Sequence, residues 1–218
     1  MKPHAGEPLV AAGAPLGKSP AVMIMVHGRN AAPRNILDLV PLFERPDFTY
    51  LAPAAAGNTW YPFSFMVEKA KNEPGLSSGL WVLEHLVDEV VSRGIRKDRV
   101  VLLGFSQGAC LTSEFAVRHA DRYGGVILYS GGLIGPPGTM WEYLGSFNGT
   151  PVFLGCSDVD AHVPKARVDE SAAVFTRMGA SVTERIYPGM GHLVNEDEIA
   201  FTRALMNDIL PLNARGAP

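Results

Sequence analysis

The chain has 218 residues, of which 47% are hydrophobic and 19% are charged, so it can bury the core of a folded domain. Its formal net charge of -3 comes without a run of like charges, which excludes the basic surface that nucleic acid or an anionic membrane requires. The longest apolar stretch, Ala21 to Val26, is far shorter than the roughly 20 residues of a bilayer span. We therefore expect a small-molecule partner, no nucleic acid and no integral membrane association.

The start of the chain does not resemble an export signal. Its apolar stretch, Leu9 to Leu16, is interrupted by Gly13 and Pro15, and such a stretch is a poor signal-peptide core. Cys110 and Cys156 are too few for a zinc site, and without export we expect them to be reduced thiols. These features favour a cytoplasmic location.

Apolar runs of strand length alternate with amphipathic stretches of helix length from about residue 20. This alternation predicts an α/β fold, with a mostly parallel sheet of six or seven strands and helices on both faces. The predicted strands are an antiparallel edge strand Pro8 to Ala12, then Val22 to His27, Thr49 to Pro53, Arg99 to Phe105, Gly125 to Tyr129, Val152 to Gly155 and Val182 to Tyr187. The predicted helices are Asn35 to Glu44, Ser77 to Arg93, Gln107 to His119, Pro164 to Met178 and Glu196 to Leu210. No repeat or linker interrupts the pattern, so we expect one domain over residues 1–218, with residues 1–7 mobile.

Two features of the connections add detail. Pro164 fits the first position of the helix that it precedes, and Gly179 follows that helix where a left-handed cap is expected. The long connections Ala54 to Pro74 and Ser130 to Thr150 are rich in Gly, Pro and aromatic residues. Loops of this length in a compact domain are often functional.

The segment Gly104-Phe105-Ser106-Gln107-Gly108 lies between a predicted strand and a predicted helix. A nucleophilic serine on such a sharp turn needs small residues two positions before and two positions after it, because the backbone closes tightly there. Gly104 and Gly108 meet this requirement. The alternative, a serine in an ordinary strand-to-helix turn, is less consistent with this context, and we predict that Ser106 is a nucleophile.

A serine nucleophile needs a base, and the base needs a carboxylate that fixes its tautomer. His192 lies in a flexible turn before the last helix, and Asp158 and Asp160 follow the strand Val152 to Gly155. The order Ser, Asp, His is the order found in α/β-hydrolases, and all three positions follow strands. His192 is therefore the predicted base, and the two aspartates are both candidates for the acid.

The segment His27-Gly28-Arg29 ends an earlier strand. Acyl transfer requires backbone N–H groups directed at the developing oxyanion, one after the nucleophile and one after this earlier strand. We assign these donors to Gln107 and Arg29. In the alternative interpretation, Gly28 only permits a tight turn and His27 only packs.

Aromatic residues are concentrated in the first long connection. Trp60, Tyr61, Phe63 and Phe65 are candidates for an apolar wall against an ester, or for core residues beneath the loop. Cys110 follows Ser106 by four residues and is expected to pack rather than react.

Taken together, these motifs resemble the phospholipase/carboxylesterase family of serine hydrolases, which includes acyl-protein thioesterases, over almost the whole chain from about residue 8. The resemblance rests on Val26 to Arg29, Asn58 to Pro62, Leu103 to Ala109, Ser130 to Leu133, Asp158 to Pro164 and Tyr187 to His192. It implies a single-domain α/β-hydrolase without a large lid, and ester or thioester hydrolysis without a cofactor or metal. It also implies the triad Ser106, Asp160 and His192, since the family pattern Asp-x-x-Val-Pro selects Asp160.

The resemblance leaves several points open. Within these matched segments and the aromatic loop, Trp60, Tyr61, Phe63, Leu133 and Met190 are expected to contact substrate. Arg29 departs from the small or aliphatic residue that many family members have after His-Gly, so charge is expected near the pocket. We expect small to medium esters as substrates. The alternatives are a thioesterase or lysophospholipase for longer acyl chains and a hydrolase fold used only for binding, and a homodimer is left open.

Overall fold

Seven strands form one sheet in the order β1-β3-β2-β4-β5-β6-β7 in this computed structural model, which describes residues 2–211. The strands are β1 (Leu9–Gly13), β2 (Val22–Val26), β3 (Thr49–Pro53), β4 (Val100–Phe105), β5 (Gly125–Tyr129), β6 (Pro151–Ser157) and β7 (Ser181–Tyr187). β1 pairs with β3 in the antiparallel sense, and every other neighbouring pair is parallel. The predicted fold class and the antiparallel edge strand are confirmed.

Helices cover both faces of this sheet. They are α1 (Pro33–Leu37), α2 (Val40–Phe43), α3 (Gly75–Ser92), α4 (Gln107–Arg118), α5 (Lys165–Arg177) and α6 (Glu196–Ile209). Alternate residues of β4 belong to the hydrophobic cores on opposite faces of the sheet. Val100 and Leu102 belong to the core that includes residues of α3, α4 and α5, whereas Val101 and Leu103 belong to the core that includes residues of α2 and α6. Within residues 2–211, none of the helices is long and apolar enough to cross a membrane.

Two predicted helices differ from the structure at a proline, and the remaining helix ends agree to within two residues. The helix expected over Asn35 to Glu44 is split into α1 and α2, because Pro41 has no N–H to continue the helical hydrogen bonds across the junction. Pro164 is the residue before α5 rather than its first residue, since its ψ of 135° is extended. Gly179 has a φ of +80° after α5, as the predicted cap requires.

His4 lies within residues 1–7, which were expected to be mobile, and it packs against the rest of the chain. Its side chain is buried, its Nδ1 accepts a hydrogen bond from Ala56 N at 3.0 Å, and its Nε2 lies 2.8 Å from Trp60 O. The backbone N–H of His4 also donates to Ser78 Oγ at 2.9 Å. Residue 1 and residues 212–218 of the expected domain lie outside the described residues.

Helix α6 places a buried carboxyl group against the sheet. Glu198 Oε2 accepts a hydrogen bond from Asn195 N, and Asn195 Oδ1 accepts from Glu198 N, each at 2.9 Å, which forms a capping box. Glu198 Oε1 has no partner among the described residues, and a Cβ on Gly155 of β6 would lie 2.1 Å from it. Position 155 must therefore be glycine while this carboxyl is buried.

Burial, with a smaller contribution from the Asp197 charge, raises the pKa of Glu198 from 4.5 to about 7 despite the opposing hydrogen bond from Asn195 N–H. The folded chain then binds more protons than the unfolded chain between these two pH values, so its free energy of unfolding falls as the pH rises through this window. We expect a loss of about 1–3 kcal/mol between pH 5 and 8 relative to Glu198→Gln, which keeps the capping box without titrating. Urea unfolding of both proteins at several pH values measures this difference, and parallel curves would contradict it.

Candidate active site

Ser106 lies on a strained turn between β4 and α4, at the carboxyl edge of the sheet. Its φ of 55° and ψ of -122° are unusual for a residue with a side chain. A Cβ on Gly104 would lie 2.5 Å from Gly108 O, and a Cβ on Gly108 would lie 2.1 Å from Val26 O. Only glycine fits at either position, as the serine motif suggested, and the turn presents the Ser106 side chain to a surface cleft.

Three side chains form a hydrogen-bonded chain at this edge of the sheet. His192 Nε2 lies 2.8 Å from Ser106 Oγ, and His192 Nδ1 lies 2.7 Å from Asp160 Oδ2. An ionised carboxylate only accepts hydrogen bonds, so Nδ1 carries the imidazole proton and Nε2 is free to accept the serine proton. The arrangement supplies a nucleophile, a base and a group that orients the base.

The carboxyl group of Asp160 is completely buried and fully engaged. Its Oδ1 accepts hydrogen bonds from His162 N at 2.8 Å and Val163 N at 3.0 Å. Burial by itself raises the pKa of Asp160, but the hydrogen bonds from His192 and these two N–H groups outweigh it and hold the pKa below its ordinary value. Asp160 therefore stays ionised at neutral pH.

Asp158 serves a different contact. Its Oδ1 accepts a hydrogen bond from Gly189 N at 2.8 Å, and the neighbouring Ser157 Oγ accepts one from Gly191 N at 3.0 Å. Both bonds join the end of β6 to the turn that carries His192. Of the two aspartates left open by the spacing after β6, only Asp160 bonds to the imidazole.

The backbone N–H groups of Arg29 and Gln107 have no acceptor within residues 2–211. Both residues line the cleft beside Ser106, which is where a tetrahedral oxyanion needs donors. The Gln107 side chain bonds to the first long connection, since its Oε1 accepts from Trp60 N at 3.0 Å and its Nε2 donates to Tyr61 O at 2.8 Å. Gln107 thereby fixes the first long connection to the start of α4.

His27 and Trp60 shape the loop that carries Arg29. Burial lowers the pKa of His27, against the hydrogen bond to Gly28 O, so this imidazole is neutral. Its Nδ1 lies 2.8 Å from Gly28 O, and its Nε2 accepts from Ala55 N at 3.2 Å. The Trp60 indole N–H donates to His27 O at 2.9 Å. His27 is thus a packed, satisfied residue behind the cleft.

The cleft beside Ser106 has a volume of about 540 Å³, within the range of small-molecule sites. It is lined by residues 28–31, 61–65 and 105–107 together with Cys110, His162, Val163 and His192. Tyr61 and Phe63 are thus on the cleft as predicted, with Tyr61 buried in its wall and Phe63 55% exposed.

The other three residues expected to contact substrate do not line this cleft. Trp60 is fully buried, and its indole N–H donates a hydrogen bond to His27 O. Leu133 is a core residue whose N–H donates to Ser171 Oγ and whose carbonyl accepts from Arg167 Nη1. Met190 follows β7 and contacts Asn195 Nδ2 through its sulfur, away from the cleft.

Sequence reasoning gave no site role to several cleft residues, among them Phe105, Asn30 and Val163. Phe105 packs its ring 5.1 Å from the His192 ring, and its position directly before the nucleophile could have identified it. Val163 belongs to the Asp-x-x-Val-Pro pattern that selected Asp160, whereas no pattern marked Asn30.

Comparison with known proteins identifies the family of the chain. The model of the phospholipase/carboxylesterase family matches residues 15–209. The chain belongs to this family. The resemblance drawn from its motifs is therefore confirmed, and the chain is a hydrolase of the carboxylesterase/thioesterase family.

Individual members of the phospholipase/carboxylesterase family support the same assignment. A phospholipase/carboxylesterase from Dyadobacter fermentans is 37% identical with a TM-score of 0.89, over 96% of this chain and 99% of that protein. Acyl-protein thioesterase 1 from Eremothecium gossypii is 31% identical over 70% of this chain and 66% of its own length, just under two thirds. Lysophospholipase-like protein 1 from Mus musculus is 24% identical over 90% of each chain.

The contacts of the two aspartates predict different mutant phenotypes. Asp160→Asn is expected to lower kcat on the order of 10⁴-fold, because an amide no longer selects the imidazole tautomer that accepts the serine proton. Asp158→Asn, the matched control, loses a turn contact and is expected to stay within about tenfold of wild type while lowering thermal stability. Steady-state kinetics on p-nitrophenyl butyrate and thermal unfolding measure both effects. The reverse order of activities would identify Asp158 as the acid.

Proposed function

We propose that the chain is a serine carboxylesterase that hydrolyses small to medium carboxylic esters through an acyl-enzyme. The observation that carries this proposal is the hydrogen-bonded chain from Ser106 Oγ through His192 to Asp160, open to a cleft. Arg29 and Gln107 line the same cleft, and their backbone N–H groups have no acceptor in the part of the chain that the structure describes. Together these groups meet the requirements of acyl transfer.

In the first half-reaction, Ser106 Oγ attacks the ester carbonyl carbon as His192 Nε2 accepts its proton. The resulting oxyanion accepts hydrogen bonds from the backbone N–H groups of Arg29 and Gln107. Collapse breaks the bond to the leaving alkoxide, which takes the proton from Nε2. An acyl group is then attached to Ser106 and an alcohol has left.

In the second half-reaction, water attacks the acyl carbon and gives a proton to His192 Nε2. Collapse releases the carboxylic acid and returns the proton to Ser106 Oγ. One water is consumed for each ester. The protons move only between Ser106 Oγ, His192 Nε2, the leaving alkoxide and water. Asp160 stays ionised and stabilises the imidazolium in both halves.

Hydrolysis of longer acyl thioesters is the second candidate function. It is supported by the acyl-protein thioesterase to which this chain is 31% identical. The same triad attacks either bond, so the depth of the cleft distinguishes the candidates. The cleft volume of about 540 Å³ lies in the range of small-molecule sites, which supports the shorter substrates.

The triad assignment predicts strongly non-additive mutations. Ser106→Ala and His192→Ala are each expected to remove nearly all esterase activity, and the double mutant is expected to be scarcely worse, because the residues act as one unit. Kinetics on p-nitrophenyl butyrate measure the losses. A fluorophosphonate probe is expected to add its mass to the wild type and not to Ser106→Ala. Losses that add on a logarithmic scale would contradict the triad, and an unlabelled wild type would instead favour a binding module.

A cleft of about 540 Å³ predicts a preference for acyl chains of roughly C2 to C8, because the part of a longer chain that does not fit leaves apolar surface exposed to water. A p-nitrophenyl ester series from acetate to palmitate, assayed below each ester's critical micelle concentration, measures kcat/KM for each length. A kcat/KM that kept rising to palmitate would favour the thioesterase or lysophospholipase alternative.

A further inference from the structure

Arg29 places a positive charge at the cleft without a carboxylate to balance it. Its guanidinium donates from Nη1 to Pro62 O at 2.9 Å and from Nη2 to Phe63 O at 2.7 Å, and both acceptors are neutral carbonyls. Within residues 2–211, no Asp or Glu lies within ion-pair distance of it. An arginine keeps its charge at every accessible pH, so this charge is available to a bound molecule.

The rest of the cleft does not offset this charge. None of its sixteen lining residues is acidic, whereas His162 adds a second basic side chain beside His192. The one carboxylate of the proposed triad, Asp160, has a completely buried side chain, which accepts hydrogen bonds from His192 and two backbone N–H groups. The field within the cleft therefore favours negative charge.

The two carbonyl contacts also hold the guanidinium in place. They use two of its five N–H donors and leave the others unengaged by the described residues. A cation fixed in this way loses little conformational freedom when a ligand binds. In the proposed function the backbone N–H of the same residue binds the oxyanion, which would place the charge close to the bond that reacts.

We propose that the cleft selects esters that carry a carboxylate near the scissile bond, with Arg29 as the residue that recognises it. The inference rests on the proposed function and specifies its substrate class. Arg29 thus has two roles in separate parts of one residue. Its backbone N–H serves the oxyanion, and its side chain serves specificity.

The test compares matched anionic and neutral esters. For charge on the acyl side, the pair is mono-p-nitrophenyl adipate and its methyl ester, and for charge on the alcohol side it is 4-acetoxybenzoate and its methyl ester. The ratio of kcat/KM for the anionic ester to that for the neutral ester is the readout, after subtraction of spontaneous hydrolysis. This ratio cancels any general loss of activity in a variant.

Arg29→Met is expected to lower this ratio about fivefold for at least one pair, the effect of one partly exposed charge contact. Arg29→Lys keeps the charge and is expected to retain most of the ratio. Arg34→Met is the matched control, because Arg34 is exposed on α1 outside the cleft and its loss changes the net charge equally. Its ratio should equal that of wild type.

Salt provides a test that needs no variant. Raising NaCl from 0.05 to 0.5 M is expected to lower the wild-type ratio for the same pair, because screening weakens a partly exposed ion pair. If neither salt nor Arg29→Met changed the ratio for either pair, the inference would be overturned. Hydrolysis of the neutral esters in the same assays would still uphold the esterase proposal. Absence of hydrolysis of all four esters, with no fluorophosphonate labelling of Ser106, would overturn the esterase proposal itself.

Discussion

The active site depends on the close contact between the start of α4 and the end of β2. A Cβ on Gly108 would lie 2.1 Å from Val26 O and 2.5 Å from His27 O, so no other residue allows this approach. The contact brings the backbone N–H of Gln107 and that of Arg29 to the same cleft. The same packing holds the strained backbone of Ser106 in place, because Gly104 and Gly108, on either side of it, lie directly against neighbouring backbone atoms.

The remaining groups come from the ends of β6 and β7, which are neighbouring parallel strands. Asp158 and Ser157 bond to the N–H groups of Gly189 and Gly191, and these bonds hold the turn that carries His192. Parallel strands end at one edge of the sheet, which is where open α/β sheets bind ligands. The fold brings the ends of β6 and β7 to one edge of the sheet. The hydrogen bonds between the loops that follow these strands then set the short distances from His192 to Asp160 and Ser106.

The sequence predicted the fold and the central residues because those features depend on local pattern. Apolar runs that alternate with amphipathic stretches indicated the parallel sheet. The glycines around Ser106 indicated a turn too tight for a side chain, and the structure shows this close packing at Gly104 and Gly108. The selection of Asp160 came from the family pattern Asp-x-x-Val-Pro, because the spacing after β6 alone left both Asp158 and Asp160 open. The pattern counts back from Pro164, so it holds whether Pro164 precedes α5 or begins it.

Partners distant in the sequence could not be predicted in this way. Arg29 binds carbonyls 33 and 34 residues away, and His4 contacts Trp60 across 56 residues. Leu133 resembled a substrate contact because it lies in a matching motif, but its hydrogen bonds to Ser171 and Arg167 on α5 place it in the core. Such contacts arise from the packing of separate elements, and no periodic pattern in one segment records them.

The central claim is that Ser106 attacks an acyl carbon while the backbone N–H groups of Arg29 and Gln107 bind the oxyanion. A crystal structure of the chain inhibited by a phosphonate ester tests it directly, because the tetrahedral phosphorus mimics the intermediate. The account predicts a covalent bond from Ser106 Oγ to phosphorus and a phosphonyl oxygen about 2.7–3.1 Å from both N–H nitrogens. A phosphonyl oxygen directed at other donors, or an adduct on a residue other than Ser106, would contradict it.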